Sequence, residues 1–421
     1  MEGRLGMEKK PAKVLMQERE KRVTAAIELK VPDRVPIIPS FAYFPAKYVP
    51  GVTCEDAFFN PSKWYTACKK VAADFEPDLY NFAMISPGAV QVTLGNKTQL
   101  LPGHGVPSTH SHQFVEGEYM KASEYDHFLS DPTDFGLRVY TPRIYEKLKA
   151  FEKLPPVPRI FWGYGETAAT ELFTQPEFKE AVEALKLAGI QMKEWRETNS
   201  AFNSEMEALG FRASSRSNTM VPFDTISDMY RGMRGSMLDM YRNPDKLLAA
   251  CEWLLPRHIS RGIASAKASG NPRVFIALHR GAEGFMSLKQ FETFYWPQMK
   301  KLFNALIDAG LTPAPFFEGD YTSRLEYLTE LPKGKVVGQF DTTDIFKAKK
   351  ILGGHMCIRG NFPVSLLQTG SPEEIRSHTR KLIEVVGKDG GYIMATRGSL
   401  DEADPALIKV WVDATREYGK Y

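Results

Sequence analysis

Three residues able to bind a metal or move a proton, His279, Glu318 and Asp341, each stand at the end of a short apolar run. The runs read P-R-V-F-I-A-L-H, A-P-F-F-E-G-D and K-V-V-G-Q-F-D. A short apolar run bounded by polar residues reads as a buried strand. Each of the three is therefore placed where a strand stops and a loop begins, with Asp320 following two residues after Glu318. Stretches of helical pattern separate the runs, and strands alternating with helices imply a parallel sheet, because parallel strands need long crossovers. In parallel α/β sheets and barrels the carboxyl ends of the strands carry the chemistry. One spacing argument thus puts an imidazole and two carboxylates on one rim. Singly, each also reads as a helix cap or the partner of a nearby arginine; three at successive strand ends favour a site.

The rest of the chain must build that rim. Residues 17–30 read as a helix with Val23, Ala26 and Ile27 on one face. Val35–Ser40 and Leu79–Met84 are strand candidates. Residues 86–140, with V-Q-V-T-L-G, S-T-H-S-H-Q-F-V-E-G-E-Y and the turn-rich D-P-T-D-F-G, suggest a small β excursion over one mouth of the sheet. It carries His104, His110 and His112; H-x-H on a strand would put two rings on one face, but no carboxylate or cysteine sits at ligand spacing nearby, so a polar loop is the preferred reading. Arg159–Tyr164 is strand-like. A helix should run from Pro176 to a cap at Gly189, and a second over Ile190–Leu209. Phe211–Phe223 reads as a buried polar strand, followed by a long helix to Ser269. Ser287 with Gln290, and Ser371 with Glu374, form capping boxes; Asp404-Pro405 opens the last helix, and Pro297 should kink the helix that holds it. With M-C-I-R-G-N and G-Y-I-M-A-T the strand candidates number nine, one more than a closed (β/α)8 barrel needs, and an open doubly wound sheet stays an alternative on pattern alone.

Composition bounds the function. The 421 residues are 43% hydrophobic and 25% charged, with a formal net charge of +3, which is ordinary for a globular protein. That charge, with no basic cluster, argues against nucleic acid. No apolar run approaches spanning length and the first 20 residues carry no signal-peptide pattern, so no membrane role and a cytoplasmic location are expected. Cys54, Cys68, Cys251 and Cys357 lack C-x-x-C spacing, which argues against a structural zinc module or a disulfide framework. No strand is followed by G-x-G-x-x-G, which argues against a dinucleotide.

Longer stretches resemble the uroporphyrinogen decarboxylase superfamily from about Glu18 to Gly419: E-K-R-V-T-A-A-I-E-L-K-V-P-D-R-V-P-I, M-V-P-F-D-T-I-S-D-M-Y-R-G, M-L-D-M-Y-R-N-P-D-K-L, F-F-E-G-D, C-I-R-G-N-F-P-V-S-L-L-Q-T-G-S-P-E-E-I and G-G-Y-I-M-A. The resemblance implies one (β/α)8 TIM barrel over residues 1–421, with a helical extension at 1–30, the β-rich excursion at 86–140 and a helical insertion at 150–210. It assigns Arg159–Tyr164 to the insertion and makes Phe211–Phe223 a barrel strand. Two activities occur in such proteins: decarboxylation of a porphyrinogen, and methyl transfer between a small molecule and a corrinoid on a partner protein, usually with zinc. The decarboxylase type resembled has arginines after the first strand and an aspartate after the second; here those places read S-F-A-Y-F-P-A and N-F-A-M-I-S, without counter-charges for a polyanionic tetrapyrrole. The thiol-methylating type has His-x-Cys after the fifth strand and a late Cys, where this chain has Phe316-Phe317-Glu318 and A-T-R-G.

A harder donor set suits an oxygen leaving group better than a thiol. The expectation is a corrinoid-dependent methyltransferase, of the demethylase type, taking a methyl group from a small-molecule ether or similar donor to the corrinoid (cobalamin) of a partner protein. Glu318, His279 and Asp341 are the expected catalytic residues and zinc ligands; extending the metal to His279 and Asp341 rests on their flanking positions rather than on a motif. Tyr43, Phe44, Phe316, Phe317, Arg280 and Asn361 are the expected substrate contacts, with Phe41, Trp162 and Tyr164 as further aromatics near strand ends. A homodimer is compatible with this reading. The alternatives are a decarboxylase or lyase for a small acid, held by Arg280, Arg324 or Arg359, and a non-catalytic corrinoid-binding scaffold.

Overall fold

Six parallel strands lie side by side in chain order: β1 (Ser217–Met220), β2 (Arg273–Leu278), β3 (Thr312–Phe317), β4 (Val337–Phe340), β5 (Cys357–Arg359) and β6 (Tyr392–Ile393). Two further segments close the ring. Ile38 donates to the Met394 carbonyl (2.9 Å) and Met394 to the Pro36 carbonyl (2.8 Å), joining residues 35–42 to the end of β6. Ala42 then pairs in parallel with Phe82, and Tyr80 with Ala213 just before β1. The six strands and these two bridged segments make a closed parallel barrel, in a computed structural model that describes residues 10–83, 87–156 and 169–421. The strand candidate Arg159–Tyr164 lies outside the described residues.

Local chemistry explains why these segments become strands. β3 reads T-P-A-P-F-F, which looks hostile to a sheet because proline lacks an N–H. Thr312 donates toward β2, to the Pro272 carbonyl at 2.8 Å, so the nitrogens of Pro313 and Pro315 face the other neighbour. Pairing with that neighbour, β4, begins only at Phe316 opposite Gln339. The missing donors therefore fall where no partner waits. The opening helix, Ala12–Ile27, plugs the amino-terminal mouth: Val23 and Ile27 meet Ile38, Val337 and Ile393 around a small floor cavity. It is pinned by fully buried Asp78, which accepts from Arg22 Nη1 (2.5 Å), Arg34 Nη1 (2.8 Å) and the Ile37 N–H (2.7 Å).

Several elements differ from the sequence reading. V-Q-V-T-L-G, taken as part of a β excursion, belongs to the helix Gly88–Leu94, and D-P-T-D-F-G to the helix Pro132–Phe135; only 99–102, 105–106 and 113–114 between them are strands. The β-branched residues that suggested strand carry only a weak preference, which packing overrides. Gly189 does not end a helix: Pro176–Ala208 is continuous over 33 residues, and the space around Gly189 is open. An interior glycine costs roughly 1 kcal/mol against alanine, too little to break a helix packed along its length. Pro297 sits in the first turn of Trp296–Asp308, directly after a π-turn at Phe291–Tyr295. Both capping boxes form, and Asp404 accepts from the Ala406 N–H (2.7 Å). No described helix is long and apolar enough to cross a membrane.

Candidate active site at the carboxyl rim

Side chains alternate along a strand. Phe275, Ala314 and Val337 line the floor cavity inside the barrel. Ala277, Phe316 and Gln339, paired in register, form the next inward layer. Two residues further on, His279, Glu318 and Asp341 face the carboxyl mouth, so the strand-end argument places all three on one rim.

His279 and Glu318 meet: Nε2 lies 3.5 Å from Oε2 of Glu318, whose side chain is half exposed. What holds His279 comes from the turn after β1, where Pro222–Thr225 runs into a π-turn at Ile226–Arg231. Asp224 and Asp228, four residues apart, share one face of that turn. Asp224 is fully buried and accepts from the backbone N–H of His279 (3.1 Å) and Arg280 (3.0 Å) and from the Tyr295 hydroxyl (2.6 Å). It thereby fixes the end of β2. Asp228 reaches His279 Nδ1 at 2.5 Å with one oxygen and accepts from Arg280 Nη2 at 3.0 Å with the other. Gly281 lets the chain pass: a Cβ there would come within 2.6 Å of Tyr295 and 2.7 Å of the Tyr321 hydroxyl.

This setting decides the protonation. Burial works against a charge on His279, but the Asp228 hydrogen bond and the carboxylates of Asp224, Asp228 and Glu318 outweigh it and lift the imidazole to about 9. At neutral pH His279 is an imidazolium, with Nδ1–H directed at Asp228 and Nε2–H toward Glu318. Burial, opposed by His279, raises Asp224 to about 6.

The other expected site residues are used differently. Asp341 Oδ2 accepts from the Gly319 N–H (3.0 Å), and burial raises its pKa. Asp320 accepts from the Thr322 N–H (2.8 Å) and hydroxyl (2.5 Å), capping the turn that follows. Asn361 is not free for a substrate: buried, it donates to the Asp341 and Thr343 carbonyls at 2.8 and 2.9 Å. Arg280 is engaged by Ser227 and Asp228. Phe44 and Phe317 are corrected to core. Phe44 packs on Phe75, and Phe317 stacks on Phe340 at 4.9 Å, its position in the alternation pointing it outward. Phe41 is core too. Phe316 does face the mouth, half-buried. Tyr43 is buried beside Trp64, its hydroxyl 2.7 Å from His112 Nδ1. His104 stacks on Phe59 and His110 lies in a turn, so the three histidines do not converge. Trp162 and Tyr164 lie outside the described residues.

Among the described residues, no three His, Cys, Asp or Glu side chains already form a metal cage. His279 and Glu318 fit two positions of one. A carboxylate on the far nitrogen of a histidine is the usual support of a metal-binding imidazole, and Asp228 occupies that place. Asp341 is turned to the Gly319 amide instead. Sequence reasoning missed Asp224, Asp228 and Tyr295. The D-x-x-x-D spacing directly after a strand candidate was the signal for the two acids.

Comparison with known proteins matches the same frame. A methyltransferase from Methanosarcina mazei has a similar fold, with a TM-score of 0.60 over 95% of this chain and 98% of that one, at 14% identity. Uroporphyrinogen decarboxylase of Syntrophotalea carbinolica is 28% identical over 131 residues, 31% of this chain and 37% of that protein. That of Chlorobium phaeovibrioides is 33% identical over 78 residues, 18% of this chain and 22% of its own length. The chain thus spans less than two-fifths of the length of the curated relatives it matches. The sequence profile of uroporphyrinogen decarboxylase (URO-D) matches residues 165–418, most of the chain and every strand from β1 to β6, and the protein belongs to that family.

Proposed function

We propose that the protein is a methyltransferase component that takes a methyl group from an oxygen-linked small-molecule donor to a corrinoid carried by a partner protein. The observation that carries this reading is the His279–Glu318 pair at the carboxyl mouth, backed by Asp228. When the methyl–oxygen bond breaks, its electron pair stays on the donor oxygen. The His279 imidazolium supplies a proton to that oxygen from Nε2, and Asp228 holds the ring in place through Nδ1. Glu318, half exposed, accepts from Nε2–H until the donor displaces it and then offers an oxygen to a substrate hydroxyl. Phe316 gives the donor a flat apolar wall. A zinc ion held by Glu318 and by Nε2 of a neutral His279 would take the place of that proton, supplying Lewis acidity to the leaving oxygen instead. Neither S-F-A-Y-F-P-A nor the described part of N-F-A-M-I-S holds an arginine or acid, which speaks against a porphyrinogen as substrate.

The test is absorbance of cob(I)alamin mixed with purified protein and a panel of aryl methyl ethers, methylamines and methyl thioethers. Consumption of cob(I)alamin with an ether, lost in His279→Gln, is expected. No consumption with any donor overturns the reading.

One observation favours decarboxylation of a small acid as the second reading. Arg359 points into the barrel, 7% exposed, with Nη2 donating to the Ile38 carbonyl at 3.2 Å, Nε unpartnered and no carboxylate beside it among the described residues. Carbon dioxide release from a panel of small acids, abolished in Arg359→Gln, would establish it in place of the first.

A further inference from the structure

The barrel wall parts on one side. Tyr80 donates to the Arg212 carbonyl (3.0 Å) and accepts from the Ser214 N–H (2.8 Å), which holds residues 78–83 against the chain just before β1. Beyond that point the two separate. Among the described residues β1 pairs only with β2, and Phe82 pairs on its other side with Ala42. A strand edge left unpaired offers backbone donors and acceptors to whatever lies beside it. The helix Pro176–Ala208 lines one side of an open cavity of about 570 Å³ at this place, through Met192, Trp195, Asn199, Phe202 and Asn203. Small-molecule sites run from about 300 to 1,000 Å³. His279, Glu318 and Asp341 are not among its lining residues.

The lining has a consistent chemistry. Its walls are flat rings: Tyr65 and Phe202 stack at 4.2 Å and 10°, Tyr80 meets Phe202 edge-on at 6.1 Å, and Trp64 and Trp195 add two indoles. The tyrosines are held open by the helix, through Tyr65 to Asn199 (3.3 Å) and Tyr80 to Asn203 (3.1 Å). The polar groups here are the amides of Asn81 and Asn218, the guanidiniums of Arg216 and Arg261 and the hydroxyls of Ser215, Ser217 and Ser269, and none of the described lining residues is Asp or Glu. Arg216 is only loosely occupied, 3.5 Å from half-exposed Glu207.

We propose that this flank cavity is a binding site for a planar organic anion, an aromatic carboxylate by chemical class, separate from the rim. Ring faces stack on the ligand's π-system. Arg216 takes the carboxylate through charge-assisted hydrogen bonds, and the asparagine amides donate to the remaining lone pairs. None of the described lining residues is a carboxylate, and the ligand competes with Glu207 for Arg216.

Calorimetric titration of the full-length protein with 2-naphthoate, against neutral 2-naphthamide, tests it; neither probe carries a transferable methyl group. Saturable one-site binding of 2-naphthoate is expected. Arg216→Gln should weaken it by about tenfold or more, as loss of a hydrogen bond to a charged group does, and leave 2-naphthamide within about twofold. Asn218→Leu should show the same selectivity, Trp195→Ala should weaken both ligands, and Glu318→Gln neither. No saturable binding at millimolar 2-naphthoate overturns the proposal. So does equal weakening of both ligands by Arg216→Gln, or a loss confined to Glu318→Gln, which would put the ligand at the rim.

Discussion

Replacing Asp228 with asparagine keeps the shape beside His279 and removes one charge. The imidazole stands at about 9 against an ordinary 6.5, with burial opposed by the Asp228 hydrogen bond and by neighbouring carboxylates. A shift of that size corresponds to roughly 3 kcal/mol. The ring is one-third exposed, so solvent screening reduces this to about 1–2 kcal/mol. The direction follows from linkage: a histidine raised on folding stabilises fully below its unfolded pKa, and that contribution is lost as pH rises through about 9. In urea unfolding of chelator-treated protein, wild type should exceed Asp228→Asn by more at pH ~6 than at pH ~9.5, the difference between the two gaps being about 1–2 kcal/mol. The lost Arg280 contact is independent of pH and cancels in that comparison. In ¹⁵N NMR, the resonance missing from His279→Gln should titrate at least about one unit lower in Asp228→Asn. A gap that does not change with pH, or an unmoved titration, would refute Asp228 as the group that keeps the ring charged.

Two other outcomes are expected. Phe317→Ala should cost about 3–5 kcal/mol by chemical denaturation, because it empties a stacked core position, whereas Phe316→Ala, facing the mouth, should cost roughly half as much or less; equal losses would mean the alternation of β3 has been misassigned. Protein purified without chelator should carry zinc that Glu318→Ala loses and Asp320→Ala keeps, the latter costing only about 1 kcal/mol as a cap. Elemental analysis decides, and a zinc-free wild type, or a Glu318→Ala protein with full zinc, would retire the metal.

The barrel was legible because its signals are local and repeated. Apolar runs of strand length alternated with capped helices, and Ser287, Ser371 and Asp404 mark their helix starts by side chains that bond within three residues. What stayed hidden depended on contacts distant in the chain. Gly189 has the composition of a helix end, yet the helix continues because its two halves pack on different parts of the molecule: Phe178 and Ala181 at one end, Phe202 and Met206 at the other. The valines of Gly88–Leu94 suggested a strand, but among the described residues that segment pairs with no strand and forms a helix.

The rim divides in the same way. Position along a strand is written in the sequence, and His279 and Glu318 do meet at the mouth. Whether a side chain at such a position is free is not written there, because its partner comes from another turn. Asp341 ties the loop after β4 to that after β3 through the Gly319 N–H, and Asn361 ties the loop after β5 to that after β4 through the Asp341 and Thr343 carbonyls. Asp224 and Asp228 lie fifty or more residues before the histidine they hold. Their division of labour follows from burial. Asp224, fully enclosed, is spent on backbone donors and Tyr295 and sets where the ring stands. Asp228, nearer the opening, contacts the ring itself and sets its charge. A substitution at the first should therefore disturb geometry and stability together, and one at the second should move the proton while leaving the end of β2 in place.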